Sequence, residues 1–299
     1  MNTMTLQSRT DDPVFVNLLS DAGFKAVYAD PANKPLLIYL LNTVLPDDIK
    51  VSDILEYRDR EQRPDTISSK KTVLDLVCKD TAGNILGVEV QKKVDSRLFS
   101  RCVFYAAGQY HSQLLSGGGY AALHPVFEIA FLAQNYQHEH PEQWDANHIV
   151  SHYSFIEKRT GECPNPTIFI ILAEIGRFNK SKEECLTTRD RLFYWFRHAT
   201  EFKEKPEWVD DPETQALLNA TEIAAFTPEK KEIYDQDMKN EQDIEYEKSI
   251  CYREGIAEGK REHALLTADN LLKKGIDPQT IAECTGLSLE EVLSLDKGQ

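Results

Sequence analysis

The sequence predicts an α/β fold in which a mixed central sheet is flanked by helices and followed by an α-helical C-terminal extension. Three observations support this prediction. A β-hairpin pattern occupies residues 72–91, and two short, mostly apolar runs follow at residues 126–133 and 166–173. Apolar residues at helical spacing surround these segments. Short apolar runs between turn signals are typical of strands that are buried on both faces of a sheet.

The segment before the hairpin is predicted to be mostly helical. Apolar residues recur at helical spacing from residue 13 to residue 45, with a break at Asp30-Pro31 and an end at Pro46. A short strand is expected over residues 50–57. The hairpin itself combines strands at residues 72–78 and 85–91 around DTAGN, a run of turn-forming residues.

After the hairpin, predicted helices and strands alternate as far as Pro206, where the composition of the sequence changes. We expect a helix over residues 96–115, strands over 126–133, 148–156 and 166–173, and a helix over 192–202. Beyond Pro206 the chain is helical, acidic and poor in large apolar side chains, with helices predicted at residues 213–226, 228–265, 264–274, 278–286 and 288–295. The predicted domains are a mobile tail (1–12), an α/β domain (13–205) and an acidic helical region (206–299).

The composition describes a globular chain rather than a fibrous, disordered or membrane-spanning one. Of the 299 residues, 41% are apolar and 28% are charged. No apolar run approaches the roughly 18 residues that cross a bilayer. The six cysteines are widely spaced and form no CxxC pair, which favours reduced thiols. We therefore expect a cytoplasmic protein with no membrane partner.

The net charge of −15 opposes binding to nucleic acid, but its distribution matters. Residues 1–200 contain 22 basic and 25 acidic side chains, whereas residues 201–299 contain 12 and 24. Most of the acidity thus belongs to the C-terminal third. A DNA-binding cleft within the first 200 residues is not excluded by charge.

The hairpin carries the residues with the clearest chemistry. If its turn is centred on Ala82, Asp75 lies opposite Glu89, and directly opposed residues share one face of the sheet. Gln91 and Lys93 share that face because side chains alternate along a strand. The other face is uniformly apolar. Two carboxylates therefore face each other within an otherwise core-like hairpin.

A divalent cation would resolve the repulsion between these two carboxylates. Burial and mutual repulsion raise the pKa of at least one of two facing acids. Mg²⁺ prefers hard oxygen ligands and is commonly held by one or two carboxylates. The alternative is an exposed hairpin face on which both acids are simply solvated, and a one-residue shift in register would also separate them. Spacing alone leaves both possibilities open.

Several ordered motifs resemble a known family. A strand with Asp75, a turn, a strand with Glu89-x-Gln91, and then a helix with Arg101 and Tyr105 are similar to the PD-(D/E)XK nuclease superfamily. More narrowly, the order resembles the Rpn group of recombination-promoting nucleases. Further segments of the same resemblance are DAGFK (Asp21–Lys25), NKPLLIYLLNTVL (Asn33–Leu45), the stretch from Tyr110 to Val126, and LLKKGIDPQTIAECTGLSLEEVLSL near the C-terminus.

The resemblance implies a restriction-endonuclease-like fold and metal-dependent hydrolysis of DNA in recombination or transposition. It implies that Asp75, Glu89 and the backbone carbonyl of Val90 bind Mg²⁺, or another divalent cation such as Mn²⁺ or Ca²⁺. Gln91 stands where the superfamily usually has Lys, so it can orient a water molecule but supplies no positive charge. Asp21 is a possible third acidic group.

Three basic residues close to the hairpin are candidates for binding the DNA substrate. Lys93 lies on the face of the two acids and can partly replace the missing lysine charge. Arg97 and Arg101 are four residues apart in the predicted helix, so they share a helix face that can bind phosphate or simply be solvated.

Two other functions remain open from the sequence. A catalytically weak or inactive relative could serve as a DNA-binding or protein-interaction module, because position 91 is not Lys and the C-terminal third is acidic. The second alternative is a purely structural, oligomeric protein in which the paired acids Asp75 and Glu89 have no catalytic role. The last two predicted helices resemble a helix-turn-helix, but Glu290 and Glu291 make a poor recognition surface. We expect these C-terminal helices to pack or to form a homo-oligomer.

Overall fold

The computed structural model describes residues 14–57, 61–62, 72–114, 119–145, 147–164, 166–207 and 210–296. The chain divides into two compact units, Met1–Asp237 and Met238–Gln299. This division does not coincide with the predicted domain boundary at residues 205–206, because the helix at Pro212–Thr221 packs within the first unit. The predicted mobile tail at residues 1–12 lies outside the described residues.

Helices and strands alternate through the first unit, and helices make up the second. The strands are β1 (Ile54–Tyr57), β2 (Glu61–Gln62), β3 (Thr72–Val73), β4 (Leu76–Asp80), β5 (Ile85–Gln91), β6 (Val126–Leu132), β7 (Val150–Ser154) and β8 (Ile168–Glu174). The α-helices are α1 (Asp21–Tyr28), α2 (Lys34–Val44), α3 (Leu98–Ser112), α4 (Thr188–His198), α5 (Pro212–Thr221), α6 (Pro228–Lys273), α7 (Pro278–Thr285) and α8 (Leu289–Asp296). Single 3-10 turns occur at several of the connections between them.

The main sheet has six strands in the order β1-β4-β5-β6-β8-β7. Strands β5, β6 and β8 run parallel to one another, whereas β4 and β7 are antiparallel to their neighbours. Strands β2 and β3 form a separate two-stranded sheet. The prediction of a mixed sheet flanked by helices with a helical C-terminal region is confirmed, and this architecture fits a restriction-endonuclease-like α/β fold.

Both faces of the sheet are covered, as the mostly apolar strands predict. On one face, Leu98, Cys102 and Ala106 of α3 pack against β4, β5, β6 and β8. On the other face, Phe131 of β6 contacts Phe24 of α1 and Phe196 of α4, with ring centroids 6.3 and 5.3 Å away. The sheet is therefore the middle layer of the unit, and the ends of its strands are where polar groups can reach solvent.

The β4–β5 hairpin has the predicted register. Leu76 pairs with Val88 and Lys79 with Ile85, as expected for a turn centred on Ala82. In the turn, the buried Asp80 carboxylate accepts hydrogen bonds from the backbone N–H and the side-chain amide of Asn84, both at 2.8 Å. Gly83 has a φ of 90°, a conformation that glycine adopts without strain. The turn thus fixes which β5 side chains share a face.

Three predicted elements differ from the structure. The predicted strand at residues 72–78 is divided between β3 and β4, and Asp75 lies between the two. The segment from Phe15 to Leu19 is not helical: Val16 donates a backbone hydrogen bond to Thr221, so the chain runs extended beside α5. Helix α6 continues to Lys273 without the break that was predicted near residue 264.

The second unit has a small core of its own. Ala268 of α6, Ile281 of α7 and Val292 of α8 are fully buried against one another. Asp277 caps α7 by accepting the backbone N–H of Gln279 at 2.9 Å, and Gly286 ends α7 in the left-handed conformation. No α-helix among the described residues is both long and apolar enough to cross a membrane.

Candidate active site

Asp75 lies immediately outside the β4–β5 ladder and is directed at β5. Its Oδ2 atom accepts a hydrogen bond from the backbone N–H of Val90 at 2.8 Å. Its Oδ1 atom lies 3.2 Å from Nζ of Lys25, and only 16% of its side chain is exposed. Burial, followed by the neighbouring Asp21 carboxyl, raises the pKa of Asp75 to about 7.

Glu89 occupies β5 beside Val90 and is buried. Its Oε1 atom has no hydrogen-bond partner among the described residues. The nearest opposite charge is Nη2 of Arg101 at 3.7 Å, which is an ion-pair distance but too long for a hydrogen bond. Burial raises the pKa of Glu89, and the charge of Arg101 opposes this rise. The site therefore contains two carboxyls, Glu89 and the largely buried Asp75, whose pKa values are both raised by burial.

Gln91 ends β5 and is held by Arg101 from α3. Nη2 of Arg101 donates a hydrogen bond to Oε1 of Gln91 at 2.7 Å. Nη1 of the same guanidinium lies 3.7 Å from Oδ2 of Asp95. Arg101 therefore lies beside the side chains of Glu89, Gln91 and Asp95. The positive charge absent from position 91 is thus present one side chain away.

Arg97 and Lys93 lie in the segment between β5 and α3. Arg97 is the N-cap residue of α3 with a helical backbone conformation, and its carbonyl accepts the backbone N–H of Arg101 at 3.0 Å, so the two arginines are one helical turn apart. Its guanidinium binds Asp95, with Nη2 and Nε at 2.7 and 3.2 Å from Oδ2. Lys93 is exposed in the same segment. Both basic side chains are therefore at the end of β5 that carries Glu89 and Gln91.

Helix α1 brings one further basic side chain to the site. Ser20 caps this helix by accepting the backbone N–H of Gly23, and Phe24 fixes its inner face in the core. Lys25 then forms ion pairs with Asp21, one turn earlier in the helix, and with Asp75. The sequence resemblance included the Asp21–Lys25 segment, but the contact between Lys25 and Asp75 was not predicted.

Glu128 of β6 is a buried acid that the sequence reasoning missed. It is fully buried, and neither of its carboxyl oxygens has a hydrogen-bond partner among the described residues. Burial raises its pKa well above the usual value, and the charges of Glu89 and Asp75 raise it further. It pairs across the ladder with Gly87, where any side chain would overlap its carboxyl group. The sequence did contain a signal for this buried acid, because Glu128 is the only charged residue in the apolar run VFEIAFLA.

The residues present fit a divalent cation bound by Asp75 and Glu89. Two buried carboxyls with raised pKa values and an unpaired oxygen at Glu89 are a donor set that such an ion would satisfy. Asp75 already holds the Val90 backbone, whose carbonyl is the third predicted ligand. Within the described ranges, no three His, Cys, Asp or Glu side chains are grouped to hold a metal ion. The set is thus two carboxylates with one backbone group.

Comparison with known proteins gives one match. A family model described as PD-(D/E)XK nuclease family transposase matches residues 18–250. This range contains both Asp75 and Glu89, together with Lys25, Arg101 and Glu128, and it ends within α6. No curated protein and no solved structure matches the chain.

Proposed function

Because the chain belongs to the PD-(D/E)XK nuclease family transposases, we propose that it is a divalent-metal-dependent endonuclease that hydrolyses DNA phosphodiester bonds. One observation supports this function above the others: Asp75 accepts the backbone N–H of Val90, the residue next to the buried Glu89, so both acids belong to the same part of β5. Acidic pairs that are costly to bury are typical of functional sites. We further propose that the activity serves recombination or transposition, as in the Rpn group.

The metal would be held by Asp75, Glu89 and the backbone carbonyl of Val90. In an antiparallel strand pair, the N–H and C=O groups of one residue point to the same side. Since the Val90 N–H reaches Asp75, its carbonyl belongs to the same edge of β5. When bound, Mg²⁺ or Mn²⁺ supplies Lewis-acid chemistry, polarising a phosphate oxygen and making a nearby water molecule more acidic.

Gln91 would position the water molecule or the phosphate. Arg101 binds Oε1 of Gln91, which fixes the amide and directs its Nε2 group as the available donor. A fixed donor is more effective than a mobile one, because it needs no reorganisation when charge develops on the phosphate. Gln91 and Arg101 together would do the work that a single lysine performs elsewhere in the superfamily.

Lys25 and Arg101 would stabilise the negative charge of the transition state. Each lies beside one of the two acids, with Lys25 at Asp75 and Arg101 at Glu89. In the absence of a metal these cations partly neutralise the buried carboxylates. With metal bound, the same cations are close enough to the acids to attract the phosphate of the substrate.

DNA would approach across the segment that follows β5. Lys93 and Arg97 are exposed there, and Arg101 is half-buried behind them. These side chains belong to the nearly neutral first 200 residues and not to the acidic C-terminal third. Contacts of this kind to phosphates position DNA without reading its sequence. Localisation in the cytoplasm and self-association through the C-terminal helices remain predictions.

One observation favours the alternative of a weak or inactive enzyme that binds DNA or a protein. The Lys25–Asp75 ion pair and the Arg101–Gln91 hydrogen bond satisfy part of the site without any metal ion. A site that is satisfied in this way gains less from binding a metal. Cleavage assays distinguish this module from the endonuclease.

The test is nicking of supercoiled plasmid by the full chain with Mg²⁺, with Mn²⁺ and with EDTA. Asp75→Asn and Glu89→Gln keep the shape of each side chain and remove its charge, and Glu142→Gln provides a control at an exposed acid outside the site. We expect cleavage that requires metal, survives in Glu142→Gln, and falls at least a hundredfold in the two site variants. Cleavage that persists in either site variant would refute the assignment, and DNA binding without cleavage by the wild type would favour the alternative.

A further inference from the structure

A long stretch of α6 in the second unit is exposed on every side. Between residues 239 and 263 no residue is buried. Several large apolar side chains nevertheless point to solvent there and in the next turn, with exposed fractions of 49% for Ile244, 71% for Tyr252, 42% for Ile256 and 61% for Leu266. A helix with apolar side chains on a solvated surface lacks the packing that normally stabilises helices.

Two glycines, Gly255 and Gly259, interrupt this stretch, and no contact among the described residues accounts for either. Glycine is the least favourable residue in a helix interior after proline. Around Gly255 and Gly259, no described atom lies within 4 Å of the position that a Cβ atom would take. Neither residue has a positive φ. Glycine in a helix also permits close approach of another backbone, and such a neighbour is what would explain both positions.

The residues around Gly255 form a pattern that is symmetric along the helix. Ile244 and Leu266 lie eleven residues before and after Gly255, and Lys248 and Glu262 lie seven residues before and after it. At 3.6 residues per turn, separations of seven and eleven both return to within about 20° of the starting direction. Ile244, Lys248, Gly255, Glu262 and Leu266 therefore share one face, which we call the Gly255 stripe.

The charges of the helix favour an antiparallel arrangement of two such stripes. Residues 239–247 contain one basic and four acidic side chains, a net charge of −3. Residues 248–262 contain four basic and three acidic side chains, a net charge of +1. A parallel pair would place the two acidic segments side by side, whereas an antiparallel pair with its axis at Gly255 places each beside residues 263–271, which contain one acidic side chain and no lysine or arginine.

We propose that the Gly255 stripe binds the same stripe of a second copy of this chain, with the two helices antiparallel and a two-fold axis at Gly255. In this arrangement Ile244 packs against the partner's Leu266, and Lys248 pairs with the partner's Glu262. The glycines meet at the axis, where the backbones approach most closely. An isologous contact of this kind is the usual form of a symmetric dimer. The proposal is independent of the endonuclease function, since it rests on α6 alone.

The first test is the mass of the full chain in solution by light scattering. Gly255→Arg places two like charges and two long side chains at the axis, and it does not weaken the helix because arginine is a good helix former. Ala257→Arg is the matched control, because two residues along the helix is the opposite face. We expect wild type and Ala257→Arg to be dimers and Gly255→Arg to dissociate at least ten times more readily. A monomeric wild type, or a Gly255→Arg dimer as tight as wild type, would overturn the proposal.

The second test is disulfide cross-linking, which reports direction and register. Cys163, Cys251 and Cys284 are first replaced by Ser, since all three are partly or fully exposed. A disulfide requires Cα atoms within about 7 Å, so Gly255→Cys is expected to cross-link with itself and Ala257→Cys is not. Mixing Ile244→Cys with Leu266→Cys is expected to give a cross-linked pair of the two variants. Efficient cross-linking of Ile244→Cys with itself would indicate a parallel dimer and overturn the antiparallel assignment.

Discussion

Oδ2 of Asp75 accepts the backbone N–H of Val90 at 2.8 Å, so a side chain takes the place of the next ladder partner on β5. This contact brings the Asp75 carboxylate to the edge of the strand that carries Glu89. It does so although Asp75 itself belongs to neither β3 nor β4. The two acids thus approach each other through a side-chain hydrogen bond and not through backbone pairing.

Asp75→Asn is expected to stabilise the metal-free protein. The amide keeps an oxygen that can accept the Val90 N–H, but it removes a largely buried charge from beside Asp21. In EDTA at pH 8, we expect the free energy of unfolding to rise by about 1–3 kcal/mol, allowing for the lost ion pair with Lys25. Urea unfolding measures this change. Asp53→Asn, which removes an exposed acid paired with Lys34, is the control, and a loss of stability in Asp75→Asn would contradict the prediction.

Lys25→Met is expected to reduce DNA cleavage about a hundredfold while the fold is retained. Lys25 is the cation closest to Asp75, so its removal takes away positive charge where the phosphate would bind. The matched variant is Lys34→Met, which also breaks a Lys–Asp pair near the start of a helix but outside the site. Plasmid nicking rates at saturating Mg²⁺ compare the two. Equal rates in both variants would show that Lys25 only neutralises the metal-free site.

Gly87→Ala is expected to destabilise the protein by about 1–3 kcal/mol, the usual cost of overpacking a core. A Cβ atom at this position overlaps the Glu128 carboxyl and approaches the Gln109 amide. The cost should shrink in a Glu128→Ala background, because the colliding group is then absent. Gly119→Ala is the control, since nothing lies within 4 Å of a Cβ at that glycine. Unfolding of the four variants gives the coupling, and an unchanged cost in the Glu128→Ala background would disprove the contact.

Asp30 and Lys230 anchor the start of α6 to the end of α1, and this ion pair should make stability depend on pH. The side-chain hydrogen bond from Lys230 lowers the pKa of Asp30, and the backbone N–H of Ala32 lowers it further. A lowered carboxyl pKa stabilises the fold above the unfolded-state pKa, and this contribution is lost as the pH falls through the folded-state pKa. We expect Asp30→Asn to cost about 1 kcal/mol at pH 7 and progressively less as the pH falls through the lowered pKa of Asp30. A cost that stays the same as the pH falls would contradict this origin.

The sheet and the hairpin register followed directly from the sequence. Strand β5 was predicted residue by residue, because DTAGN fixes the turn and the apolar face of ILGVEVQ is unambiguous. The ends of strands β6 and β8 were predicted to within two residues, because short apolar runs between polar segments are typical of buried strands. This register does not itself pair Asp75 with Glu89, because Asp75 lies outside the ladder and reaches β5 through the backbone N–H of Val90.

The remaining errors arise from contacts that a local pattern does not contain. The strand at residues 72–78 reads as continuous, but the break before Leu76 depends on the pairing of β3 with β2. Lys25 reaches Asp75 only because α1 packs on the sheet through Phe24. Helix α3 begins at Leu98, two residues later than predicted, because Asp95 holds both the backbone N–H and the guanidinium of Arg97. Each of these is a tertiary or side-chain contact that overrides periodicity.

Titration of the full chain with Mn²⁺, followed by the loss of the free-ion signal in electron paramagnetic resonance, tests the metal assignment most directly. We predict that wild type and Glu142→Gln bind the ion equally, and that Asp75→Asn and Glu89→Gln each bind it at least ten times more weakly. Equal binding by all four proteins, or no binding by wild type, would contradict a shared cation site at Asp75 and Glu89.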